Sequence, residues 1–500
     1  KSTTVFTYST EIGEDRKLIS SATYLNYHVS TPSAANRRSL VYYAGKRNYE
    51  KADVQIAYGL NGTLARNTIK FIYTDGLLTA SYSMEGNQYN AGTADKLNTT
   101  SKTYLSYSIY TGAEEGEEQV DRTYAYKTNT IGETVPKPED NTTTIKSTIV
   151  FKYSLGYADD RKLTESTIYV NYQASALVEA DKRSVTYYTG KRNYEKANVQ
   201  LAYGLDGQFE RSTTKFVYVF NANNDLMLDY SYVVEGNQYD SATKDIKVGT
   251  KQYLSLAKYK GTEEGEEQVD RTYAFDIYSE DTEAEDIPAL TGSTVKSTTI
   301  FGYDGILNDY ALLLSTTYKG YQGEIAVSGD LRTTTFYKGA RNYEKANVQI
   351  AYATDGTTAR STTKFVYKAS GMLDYSYVVE GFQYDGSTKD IKAGNKTYLS
   401  YSIYTGAEEG EEQVDRTFNY KTNTIAETVP APKDNTGTIK STTVFKYSDD
   451  TQDDKKLDAS ATYVNYHESA PIEADKRSVT YYFGKRNYEK ADIQLAYGLT

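Results

Sequence analysis

A unit of about 145 residues returns down this chain, opening at Lys1-Ser-Thr-Thr, Lys146-Ser-Thr-Ile, Lys296-Ser-Thr-Thr and Lys440-Ser-Thr-Thr. Repetition constrains the fold before any other property, because copies of one packet bury apolar surface against their neighbours instead of around one central core. The division is 1–145, 146–295 and 296–439 for three copies, with 440–500 as part of a fourth. A second duplication lies inside each copy. Lys146-Ser-Thr-Ile-Val-Phe-Lys-Tyr153 returns as Arg211-Ser-Thr-Thr-Lys-Phe-Val-Tyr218, and Tyr43-Ala-Gly45 matches Tyr110-Thr-Gly112. Each copy is therefore four related pieces of roughly 36 residues.

Those pieces read as β-hairpins. In Ser361-Thr-Thr-Lys-Phe-Val-Tyr367, period-two alternation places Thr363, Phe365 and Tyr367 on a more apolar face and Thr362, Lys364 and Val366 on a more polar one. Lys368-Ala-Ser-Gly371 turns the chain, and Met372 to Val379 returns as a second strand. Length differences between copies, as between Tyr218 and Leu226 against Tyr367 and Leu373, fall in the turns. The chain holds 53 Tyr, 14 Phe and no Trp, so its apolar content is largely a residue with a polar tip, suited to a half-covered sheet and not to a thick core. Pro136, Pro138, Pro430 and Pro432 lie between long repeats, where they interrupt no strand. The predicted fold is all-β, with tandem β-hairpin repeats forming a long coiled or tubular antiparallel sheet, solenoid- or spiral-like. It should hold about 28 strands, at roughly 4.8 Å each.

Phe71-Ile-Tyr73-Thr-Asp-Gly76-Leu-Leu78, Phe301-Gly-Tyr303-Asp-Gly305-Ile-Leu307 and Phe365-Val-Tyr367 to Leu373 share a Phe-x-Tyr, turn, Leu pattern. The pattern resembles the tyrosine–aspartate (YD) repeats of RHS and teneurin-type surface proteins. That resemblance implies strand–turn–strand units coiling into large β-sheet shells or spirals. It covers two of the four hairpins in each copy, and only Tyr303 is followed directly by Asp.

Little in the chain points to catalysis, and no enzyme activity or cofactor is expected. Cys is absent, which removes disulfides and thiolate metal sites. His28 and His467 occupy a repeat position that is Gln173 in the second copy, a poor place for a general base. The net charge of −11 opposes nucleic-acid binding, and no apolar run is long enough for a membrane span. Asp159, Asp160, Asp449, Asp450, Asp453 and Asp454 lie in loops without a calcium-loop pattern.

Two charged motifs return nearly unchanged on predicted turns. The basic tip contributes Lys46, Arg47, Lys191, Arg192, Arg341, Lys485 and Arg486. The acidic tip contributes Glu114, Glu115, Glu117, Glu118, Glu263, Glu264, Glu266, Glu267, Glu408, Glu409, Glu411 and Glu412. As solvated hairpin tips they discourage edge-to-edge sticking; alternatively, basic and acidic tips meet between repeats or between chains. Lys, Asn and Glu also adjoin in Arg-Asn-Tyr-Glu-Lys, a set able to form a Lys–Asn isopeptide bond in an apolar pocket, which an exposed tip does not provide.

The expected function is structural: a window from a very long extracellular or cell-surface protein forming a fibre, filament or stalk, with self-association along or between chains. The alternatives are an adhesin with a face for a surface glycan or other cell-surface ligand, and a YD/RHS-like shell enclosing a toxin.

Overall fold

The structure, a computed structural model, describes residues 2–10, 16–26, 28, 30–127, 130–154, 161–261, 263–282, 290–291, 294–305, 309–406, 410, 412–421, 424–448, 456–468, 471–484 and 489–497. The six loop aspartates named above, with Glu408, Glu409, Glu411, Lys485 and Arg486, lie outside them.

Alternating Thr, Tyr and Val residues form eight long strands in the first copy: β1 (Ser2–Tyr8), β2 (Leu18–Leu25), β3 (Arg37–Ala44), β4 (Lys51–Tyr58), β5 (Ala65–Thr74), β6 (Leu77–Glu85), β7 (Lys102–Thr111) and β8 (Gln119–Tyr126). Each pairs antiparallel with the next. β8 then pairs with Ile145–Tyr153, which begins the set again. Thirty strands belong to one sheet, and twenty-eight of them are seven residues or longer, the number expected from the repeats. The sheet is open, not closed into a barrel. Among the described residues β1 pairs only with β2, and Lys490–Ala496 only with Lys476–Phe483.

The pairings between long strands contain register shifts, such as those at Ile72/Tyr73 and Val217/Tyr218. An extra residue on one strand bends it and increases local twist.

Turns alternate between the two ends of the strands. One end carries the short turns, including 45–50 and 112–118, so the basic and acidic tips share it; the other carries longer segments such as 26–36 and 86–101. The segment after β6 folds back over the sheet. There Tyr89 stacks on Tyr42 with ring centroids 3.6 Å apart, and Leu97 is buried. In the third copy the small hairpin Tyr384–Asp385/Asp390–Ile391 does the same, with Tyr384 stacked on Phe336 at 3.7 Å.

The residues form two compact units, Lys1–Ala197 with Asp304–Ala311, and Asn198–Tyr303 with Leu312–Thr500. The first has a core of Val54, Met84, Leu97, Tyr104, Tyr124, Tyr126 and Ile145. The second has one cluster around Val199, Tyr232, Val234, Ile246, Tyr253 and Phe275, and another around Val379, Tyr398, Phe418, Tyr420 and Ile439. These cores are thin and rich in tyrosine, as the composition requires.

Burial does not follow the polarity of the two faces. On strand Ala359–Tyr367 the fully buried residue is Thr362, on the face read as the more polar one. The segment folded over that face supplies hydrogen-bond partners, so polar side chains can be buried there without loss.

Candidate functional site

The recurring Lys-Ser-Thr opening has a local cause. Its threonine lies under the segment that follows the partner strand and holds it by two hydrogen bonds. The Thr213 hydroxyl donates to the Gly236 carbonyl at 2.6 Å and accepts from the Gln238 N–H at 2.8 Å. Thr3, Thr68, Thr148, Thr298, Thr362 and Thr442 make the same pair of bonds. The accepting carbonyl belongs each time to a residue with φ between 58° and 70°: Asn26, Gly86, Asn171, Gly236, Gly320, Gly381 or Asn465. Only glycine or asparagine takes up that conformation at little cost, which explains their alternation there.

Two residues beyond this turn, His28, Gln173, Gln322 and His467 are interchangeable. Each side chain bonds a carbonyl of the preceding strand: Leu25, Val170, Lys319 or Val464. Gln173, Gln322 and His467 also approach Asp181, Asp330 and Asp475. Both histidines therefore have a positioning role that glutamine fills equally well.

The tyrosine before each tip is likewise repeated. Tyr43, Tyr110, Tyr188, Tyr259, Tyr337, Tyr404 and Tyr482 bond Ser21, Ser81, Ser166, Ser231, Ser315, Ser376 and Ser460 at 3.0–3.1 Å. Tyr43 and Tyr110 thus have identical partners, and the two halves of a copy are structural equivalents.

In the basic tip, Gly190 has a φ of 118°, and a Cβ there would lie 2.6 Å from the Tyr194 carbonyl. No other residue fits. Lys46 and Lys191 accept through their carbonyls from Tyr49 and Tyr194, closing the turn. The tip glutamate reaches back to the start of an earlier strand: Glu50 accepts from Leu18 N–H, Glu195 from Leu163, Glu344 from Leu312 and Glu489 from Leu457, at 2.8–2.9 Å. The last glutamate of the acidic tip acts identically, with Glu118, Glu267 and Glu412 accepting from Leu78, Leu228 and Leu373. Glu114 and Glu263 accept backbone N–H groups from Glu117 and Glu266 within the turn.

The structure brings unlike tips together. Lys51 pairs with Glu115 at 2.8 Å. Across copies, Arg192 pairs with Glu117 at 2.9 Å and Arg341 with Glu266 at 2.6 Å, each spanning 75 residues of chain. Ion pairs at the surface contribute roughly 0–1 kcal/mol each, and Arg341–Glu266 is the best covered of these three, its side chains 14% and 21% exposed. Arg47 and Glu264 make interactions of their own. Two further kinds of contact cross the junctions, and neither follows from the sequence alone. The Arg of Val-Asp-Arg-Thr donates to a carbonyl of the next copy, from Arg122 to Gln173, Arg271 to Gly323 and Arg416 to His467. An adjacent aspartate orients each guanidinium. Tyr153, Tyr303 and Tyr447 donate to the carbonyls of Val120, Val269 and Val414 in the preceding copy. Burial first, and then nearby carboxylates led by Glu195, Glu344 and Glu489, push these phenols up to about 12.

Glutamate capping carries a pH signature. The Leu18 N–H holds Glu50 below its ordinary 4.5. Slight burial pushes Glu118 upward, but N–H donation, led by Leu78, outweighs it and holds the group low. A carboxyl depressed in the folded state stabilises above its unfolded pKa, and that contribution is lost as pH falls through the folded value. Protection of the Leu18 and Leu78 amides, corrected for intrinsic exchange, is therefore expected to fall below about pH 4. Equal protection at pH 6 and pH 3 would contradict capping by ionised glutamate.

No family model matches this chain, and no curated protein matches it. Among solved structures it is similar to a chain in the crystal structure of TcdB2–TccC3 with Cdc42, at 9% identity and a TM-score of 0.21, covering 96% of this chain and 22% of that one. It is similar to a chain of the Photorhabdus luminescens Tc holotoxin pore at 8% identity and a TM-score of 0.17, covering 94% and 26%. A porin-like protein from Bacteroides uniformis gives 12% identity and a TM-score of 0.18, covering 71% and 94%. The chain thus spans about a fifth of the length of the first of these. Scores this low establish neither family nor function; the fold itself defines a tandem β-hairpin repeat protein.

Proposed function

We propose that this chain is the structural repeat region of a long extracellular or cell-surface protein, and that its work is to build a fibre, filament or stalk. The observation that carries the reading is the recurrence of one junction. The Tyr-to-carbonyl and Arg-to-carbonyl bonds return at each passage from copy to copy, so a further copy meets the same partners as the last. A repeat array whose neighbour contacts are identical can lengthen without redesign.

No described helix is long and apolar enough to cross a membrane.

Electron microscopy of the native protein tests the proposal. Filaments or stalks of uniform width are expected; closed cocoons would favour a shell of the RHS type, and separate compact particles carrying a bound glycan would favour an adhesin.

A further inference from the structure

Beneath the small hairpin of the second copy a buried lysine meets two partly covered groups, a set that none of the junction contacts uses. Lys215 projects from strand Glu210–Phe220 with its side chain 7% exposed. Its register neighbours are Val199 and Tyr232, both fully buried. Its Nζ lies 2.8 Å from Oδ1 of Asn198 on the adjacent strand Lys196–Tyr203, and 2.6 Å from Oδ1 of Asp245 on the hairpin above. The Asn198 amide is oriented, because its Nδ2 donates to the Lys244 carbonyl at 2.8 Å and so turns its oxygen toward the lysine. The third copy repeats the set: Lys364 Nζ is 2.5 Å from Asn347 Oδ1 and 2.6 Å from Asp390 Oδ1, and Asn347 Nδ2 donates to the Lys389 carbonyl at 2.7 Å.

We propose that Lys215 and Asn198 become joined by an isopeptide bond, with Asp245 moving the protons, and that Lys364, Asn347 and Asp390 form the same set in the third copy. An amine, a carboxamide and a carboxyl group held within hydrogen-bond distance, with the amine covered from water, are what this condensation needs. The lysine ammonium first passes a proton to the aspartate, its hydrogen-bond partner at 2.6 Å. The neutral amine adds to Cγ of the asparagine while the aspartic acid donates a hydrogen bond to its oxygen. A proton then moves from Nζ to Nδ2, the Cγ–Nδ2 bond breaks, and ammonia leaves, taking up the aspartate's proton. In net terms, an ammonium group and a carboxamide become a secondary amide and an ammonium ion, and the carboxylate is restored.

The first copy supplies an internal comparison. There Asp53 replaces the asparagine, 2.5 Å from Lys70 Nζ, and the Asp95 carbonyl accepts from the same lysine at 2.9 Å. That arrangement is an ion pair without an ammonia leaving group. In the third copy Lys338 also reaches Asp390, at 2.9 Å. This second ammonium competes with Lys364 for the Asp390 carboxylate, so bond formation is expected to be slower there than in the second copy. This set is distinct from the Lys, Asn and Glu of the hairpin tip, which lack a covered pocket.

The test is the intact mass of the denatured 500-residue chain, followed by tandem mass spectrometry of its peptides. Each bond is expected to remove about 17 Da, the mass of ammonia, for a deficit of about 34 Da when both form. Peptides containing Lys215 and Asn198 should be recovered joined. Asn198→Ala and Asp245→Asn should each restore about 17 Da. A chain at its full sequence mass, with trypsin cleaving after Lys215 and Lys364, would overturn the proposal. So would a deficit mapping to a succinimide at an Asn-Gly step such as Asn61-Gly62.

Discussion

Replacing Tyr232 by alanine is expected to destabilise its part of the sheet by about 3–5 kcal/mol, the largest loss at any single position considered. Tyr232 is fully buried. Its ring lies 5.6 Å from that of Tyr253, which in turn meets Phe275 at 6.3 Å. Its register partners, Lys215 and Leu256, are themselves buried. The cost therefore combines lost transfer free energy with a cavity that its surroundings close only in part. A repeat array does not unfold as one two-state unit, so the measurement is hydrogen exchange along Glu210–Phe220 and Leu226–Glu235. A loss of less than about 1 kcal/mol there would show that this cluster is not the core.

Thr213→Val is expected to cost about 2–3 kcal/mol although it keeps the shape of the side chain. The hydroxyl serves a carbonyl and an N–H at once, and valine leaves both without their partner beneath a covered segment. Each buried group left unpaired carries a desolvation penalty larger than the net worth of the bond. Exchange should quicken at Gln238 and through the hairpin Tyr239–Asp240/Asp245–Ile246. Thr214→Val, on the opposite face of the same strand, should change stability by no more than about 0.5 kcal/mol. Equal effects at the two positions would mean that the latch contributes nothing specific.

The difference between Thr213 and Thr214 also shows where reading the sequence stops. Alternation, turn residues and the repeat gave the hairpins and their number, because those signals are local. Nothing local distinguishes the two threonines. What separates them is the Gly236 carbonyl, 23 residues away, brought over one face by a segment whose path depends on the whole hairpin. The strand periodicity therefore assigned Thr362 and Lys364 to the polar side correctly, but the burial of that side was not visible.

The tip glutamates failed for the same reason. Glu195 looks like one solvated charge among many, yet it accepts from Leu163, 32 residues earlier. Arg122 gives no signal of its role, because its partner is a backbone carbonyl, which leaves no mark in the sequence. Lys215, Asn198 and Asp245 come from three separate segments, whereas the lysine, asparagine and glutamate adjacent in the sequence occupy a tip. One signal was available, since threonine recurs at the third position of the opening even where the first residue changes from Lys to Arg, at Thr213 and Thr362.

The central claim is that each copy meets the next through one repeated junction and that the array lengthens by adding copies. Small-angle scattering on chains of two, four and six copies tests it most directly. The maximum dimension is expected to rise in proportion to copy number; a dimension that levels off as copies are added, with scattering from a closed hollow particle, would contradict the account.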